Sequence, residues 1–188
     1  MKTLRPKGTL TQGFYGNASS YYRLNGMKGH GAQDYSQFYK APIESTVTGL
    51  VYAIRPAIDS ETYTSVGVLA KDEDGRYYEY IHGHLLPSKN IKEGDYISQG
   101  TIIGFQSNYG ECVSGGKKVL PQEKRSGKGS HDHYQKREVE ASETLGEHHL
   151  RNSAGPLKID GLYFNIKNYN NGFKGCLDPE EDFNENQN

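Results

Sequence analysis

Tryptophan is absent from this chain of 188 residues, methionine and cysteine occur twice each, and no run approaches the roughly 20 apolar residues of a membrane-spanning helix. Two cysteines cannot build a disulfide framework. Neither Cys112 nor Cys176 sits in a CxxC or His-flanked metal pattern, so both are read as free or singly bridged and without chemistry. A charge excess is missing as well: 22 Lys and Arg face 23 Asp and Glu, which removes the electrostatic reason to expect nucleic acid or an anionic membrane as partner. The opening Met1-Lys2-Thr3-Leu4-Arg5-Pro6 lacks the apolar stretch of a secretory leader. Also absent are a solenoid-length repeat, sustained helical periodicity and an HExxH helix.

What is present points to strands. Tyrosine, at 15 copies, outnumbers phenylalanine, at 6, and only 34% of residues are hydrophobic, as in a chain of half-buried strands. β-branched and aromatic runs between Gly, Pro, Asn and Asp predict strands over 45–54, 62–71, 76–85 and 95–105. Asp72-Glu73-Asp74-Gly75 predicts a hairpin between the second and third. The Gly-, Lys- and Ser-rich segment 113–129 reads as a long exposed loop, and the acidic, Asn-rich tail from about Glu180 as frayed at its end. The length suits one all-β domain over 1–188, with a core of about 10–140 and a C-terminal extension, 141–188, packing on it.

The histidines are distributed unevenly. Five of the seven fall in three short clusters, around His30 with Asp34, around His82 and His84, and around His131 and His133, whereas His148 and His149 read as surface or hydrogen-bonded residues. Residues four apart on a strand lie about 13 Å apart, so His30 and Asp34 can share an ion only if the chain bends between them. Gly29 and Gly31 permit that bend. His131 and His133, two apart, would face one side at about 6.6 Å, one binding metal while the other leans over it. Two imidazoles and one carboxylate, with water as fourth ligand, form the catalytic type of zinc site.

These residues resemble the lysostaphin/LytM-type peptidoglycan metallopeptidases, whose motifs are an HxxxD segment, a Tyr-x-His-Leu strand end and a late HxH. Gln12-Gly13-Phe14-Tyr15-Gly16, Lys28-Gly29-His30, Ala41-Pro42, Val47-Thr48-Gly49 and Ile91 to Gly104 are similar to the family's connecting text, so the resemblance runs over about 10–140. It implies an antiparallel β-sheet core of barrel-sandwich-hybrid character, with loops walling a groove. It further implies one Zn2+ held by His30, Asp34 and His133, and a catalytic role for His131 and for His84, with His82, two residues earlier on the strand, as the alternative. The implied activity is hydrolysis of amide bonds in bacterial cell-wall peptidoglycan by a zinc-activated water. Two other readings stand beside it: an inactive structural or wall-binding member of the same fold, and a zinc enzyme of the D-alanyl-D-alanine carboxypeptidase kind. Without a leader, action at the wall implies release on lysis or carriage on a virion. A lead-in resembling phage-tail and lysin members adds other phage tail proteins as expected partners. The chain departs from the family pattern at Asp132 and Gln33, where apolar residues are usual, and in the length of the 113–129 segment.

Overall fold

The computed structural model describes residues 3–16 and 20–183, together with the backbone but not the side chains of Ser20 and Tyr21; the end expected to fray, from Asn184 onward, and part of the phage-like lead-in, Asn17, lie outside the described residues. The fold is all-β and antiparallel, with only short helical turns among the described residues. The main sheet runs in the order Thr9–Gln12, Gln33–Ser36, Asp132–Ser142, Tyr77–Gly83, Ser65–Lys71, Gly49–Arg55 and Tyr96–Ile97. Against it packs a smaller sheet of Pro42–Glu44, Ile102–Gln106 and Leu85–Pro87.

The hairpin across 72–75 forms. Lys71 pairs with Tyr77, the Asp72 amide donates to the Arg76 carbonyl at 2.8 Å, and Gly75 supplies a φ of +85°. The predicted strand 95–105 is instead two short strands that join different sheets. A turn at Ser98–Thr101, with Gly100 at φ +85°, separates them. The predicted strand 76–85 likewise ends at Gly83, because His84 takes a φ of +55° and sends Leu85 into the smaller sheet. Segment 113–129 is more ordered than a loop. It holds a small hairpin, Val113–Ser114 with Lys117–Lys118, and a helical turn, Pro121–Lys124, and it buries Val119 and Lys124.

The core lies between the two sheets. Val51, Val66, Val68, Tyr80 and Tyr134 of the main sheet meet Ile43, Leu85 and Ile103 of the smaller one, and each such side chain contributes about 1.5–3 kcal/mol on burial. On the opposite face of the main sheet a second cluster joins Tyr52, Leu69 and Val139 to Leu150, Leu157 and Phe164. Strands Leu162–Ile166 and Cys176–Leu177 pair with the far half of the long strand Asp132–Ser142, so residues beyond 141 belong to the same sheet.

Candidate metal centre

Three strands of the main sheet bring the histidine clusters together. His133 is directly across from Asp34 on one side and from Gly83 on the other. His30 stands in the bend before the strand Gln33–Ser36, and its Nε2 comes to 3.2 Å from Asp34 Oδ1, so the two do share one side of a bend. Neither Gly29 nor Gly31 has positive φ. They are small because a Cβ would strike the Tyr15 carbonyl or the Met27 side chain.

His133 Nδ1 lies 2.9 Å from Asp34 Oδ1 and 3.2 Å from His30 Nε2. Two ligand atoms at the 2.0–2.1 Å typical of zinc, separated by a tetrahedral angle, stand about 3.3 Å apart, so the three atoms are spaced as one such ion requires. Proton placement leads to the same conclusion. His30 Nδ1 faces the Gly13 carbonyl at 3.3 Å, which can only accept, so Nδ1 carries the hydrogen and Nε2 presents a lone pair. A single proton on His133 can bridge to Asp34 or to His30 but leaves the remaining acceptors crowded, whereas a cation satisfies all three.

His131 and His84 stand beside this triad. Their Nδ1 atoms donate to the Gly129 carbonyl at 2.9 Å and the Tyr109 carbonyl at 2.6 Å, so both Nε2 lone pairs are free to face the site. The two rings are 4.6 Å apart, and His131 Nε2 reaches 3.7 Å from Asp34 Oδ1. His84, His131 and His133 also form a group whose nitrogens lie within 4.8 Å of one another. Burial, then the charges of His131 and His133, hold His84 well below the usual histidine range, and burial lowers His133 against the pull of Asp34. Burial pushes the Asp34 carboxyl up, but hydrogen bonds with His133 and His30 outweigh it and keep it well below the ordinary carboxylate value. A neutral His133 beside an ionised Asp34 suits a divalent cation.

His82 is not in this constellation. Strand parity alone would put it on the face of His84, but the positive φ of His84 breaks the alternation, and the two rings point to opposite sides of the sheet. His82 lies against Tyr134 on the core side, and its Nδ1 contacts Asp132 Oδ2 at 2.9 Å with both side chains 1% exposed. Asp132 is therefore paired, on the side away from the metal ligands. Gln33, the other departure, is buried between Tyr35, whose hydroxyl donates to it at 2.8 Å, and Glu180, which accepts from it at 3.0 Å. Both unusual polar residues thus have polar partners. His149 Nδ1 bonds the Gly146 carbonyl and His148 stacks on Tyr169, both far from the site in sequence and contact.

Tyr63 was not singled out by sequence. Its ring packs edge-on against His84 at 5.0 Å and His133 at 6.4 Å, and it lies across Gly83, where a Cβ would collide with the hydroxyl. Its other side is exposed, 38% of the residue, so it forms an outer wall of the site. The two cysteines are both free and buried.

No family model matches the chain, and no curated protein matches it. Among solved structures it is similar to a zinc-containing peptidase from Vibrio cholerae, with 19% identity, TM-score 0.47, and 73% of this chain covering 36% of that one. It is similar to Csd3 from Helicobacter pylori at 17% identity and TM-score 0.46, covering 73% of this chain and 30% of that chain. It also matches the catalytic domain of the antimicrobial peptidase lysostaphin from Staphylococcus simulans, at 15% identity and TM-score 0.43, over 95% of this chain and 88% of that domain. The chain thus spans about a third of the length of the Vibrio and Helicobacter proteins. Identities this low leave the chemistry to be argued from the residues of the site.

Proposed function

We propose that this protein is a zinc-dependent endopeptidase that hydrolyses amide bonds in the stem peptides or cross-bridges of bacterial peptidoglycan. The observation that carries the reading is the convergence of His30 Nε2, Asp34 Oδ1 and His133 Nδ1 at 2.9 to 3.2 Å, with two further imidazoles beside them. The order and spacing of the HxxxD, His-Leu and HxH motifs support the same reading and supply the substrate class. A zinc ion, when bound, polarises a scissile carbonyl and brings the pKa of a water toward neutrality.

The chain's own residues handle the proton. His131 offers an Nε2 lone pair whose direction is set by the Gly129 carbonyl, so it can take a proton from the attacking water and pass it to the leaving amine. His84, neutral and fixed by the Tyr109 carbonyl, accepts a hydrogen bond from that water through Nε2 and so orients it, and His131, while it carries the proton, donates to the developing oxyanion. Tyr63 covers one side and limits access of bulk solvent. The carboxypeptidase reading would use an acid just before the last histidine, but Asp132 faces the core and is held by His82. The phage-tail association has no support in the fold or in the site.

Digestion of purified sacculi with and without a zinc chelator, followed by mass analysis, tests the proposal. Chelator-sensitive release of fragments with new amine termini at the cross-links is expected. Release of free D-alanine alone would move the assignment to a carboxypeptidase. Stoichiometric zinc without any hydrolysis would leave a wall-binding protein.

A further inference from the structure

The carbonyls that fix His84 and His131 belong to a single segment. Tyr109 and Gly129 lie near its two ends, and the helical turn Pro121–Lys124 lies between them. Two buried side chains tie the segment together. Asn108 donates from Nδ2 to the Lys124 carbonyl at 3.0 Å and the Lys128 carbonyl at 2.8 Å. Lys124, 4% exposed, donates from Nζ to the Ser60 carbonyl at 2.7 Å, Glu61 Oε1 at 2.8 Å and the Gly110 carbonyl at 2.5 Å. An ammonium has three hydrogens, and here each has an acceptor.

The placement of those acceptors is informative. Gly110 directly follows Tyr109, whose carbonyl holds His84. Ser60 also accepts from the Gly110 amide at 3.1 Å, and the 60–61 backbone leads into Tyr63, which packs on His84. Gly110 has a φ of +82°, and a Cβ there would crowd the Tyr63 backbone, so the two loops touch with no slack. A buried lysine is costly unless fully paired, which gives it a geometry that a mobile surface loop would not need.

We propose that Lys124 is a positioning residue: it clamps the 59–63 and 107–110 loops onto the 121–124 turn and so sets the Tyr109 carbonyl that orients His84. The 113–129 segment, longer than the family pattern, then serves as the back support of the site. This rests on His84 acting in the hydrolysis, but its first test does not.

That test uses the full-length, zinc-loaded protein with isotope-labelled histidine. In the native protein the His84 signal is that of the Nδ1–H tautomer, slow to exchange with water. In Lys124→Met it moves toward a mixture of tautomers and exchanges faster, while zinc stoichiometry is unchanged. On cross-linked muropeptides kcat falls roughly 10- to 100-fold, as for loss of other groups that orient a site histidine, with KM unchanged. Should Lys124→Met not fold, Glu61→Ala removes only the exposed acceptor and gives the same changes at smaller amplitude. A lower melting temperature with His84 signals and kcat both at native values overturns the proposal. So does zinc loss in parallel with kcat, which would mean general collapse of the site. If the native protein hydrolyses no peptidoglycan, the peptidase reading fails, while the His84 signal still decides the role of Lys124.

Discussion

Three of the site histidines are defined by the backbone carbonyl that holds their other ring nitrogen. His30, His84 and His131 each donate Nδ1–H to a backbone carbonyl, which leaves Nε2 for chemistry, whereas His82 spends Nδ1 on a buried carboxylate. Their substitutions should therefore separate. His131→Ala keeps stoichiometric zinc and loses roughly 10²–10⁴-fold in kcat, the usual worth of a general acid–base group. Asp34→Ala loses the zinc itself, as measured by metal analysis after dialysis. His82→Leu should lower stability, because Asp132 Oδ1 already lacks a partner and Oδ2 would lose its own, at a cost of about 1–3 kcal/mol. Its folded fraction should nonetheless turn over at the native rate, seen by comparing urea midpoints with kcat. A rate loss without a stability loss would return His82 to the catalytic set.

At the level of strands, the sequence was most readable where alternation is regular. Ser65–Lys71 and Tyr77–Gly83 lie inside the predicted ranges, and the Asp72–Gly75 turn between them follows from its residue types. The parity of His131 and His133 was legible for the same reason. The side on which His82 points was not, because a single left-handed residue, His84, reverses the alternation and nothing in its identity announces a φ of +55°. The carbonyls of Gly13, Tyr109 and Gly129 were invisible as well, since any residue supplies a carbonyl and only the chain path aims it. Tyr63 could have been noticed only through Gly83, the small residue between two histidines that lets the ring lie flat on the strand. Gly83→Ala would push Tyr63 off His84 and His133 at an overpacking cost of about 1–3 kcal/mol. The expected outcome is bound zinc with reduced kcat, and full activity would show that Tyr63 does not shape the site.

Over the whole molecule, the two thiols flank the metal centre, Cys112 beside His84 and Cys176 beside Gly31 and Gln135. Both are buried, and burial pushes Cys112 up to about 12 and Cys176 up to about 11 from an ordinary value near 9. A raised folded-state pKa means that the native protein holds these protons more tightly than the unfolded chain. Their contribution to stability is thus complete below about pH 9 and is lost as pH rises toward about 11 for Cys176 and about 12 for Cys112. Within that window each thiol can remove up to about 1.4 kcal/mol of stability per pH unit. Burial raises Tyr35 to about 12 too, which adds to the fall from pH 10 upward. Urea midpoints measured from pH 8 to 11 should therefore drop steeply above pH 9, and Cys176→Ala should make the drop shallower even though its midpoint at pH 8 is lower. Thiol reagents at pH 8 should label neither cysteine until urea unfolds the chain. Rapid labelling of the native protein, or a midpoint that does not move with pH, would mean that water reaches these thiols and that the sheet edges around them are open.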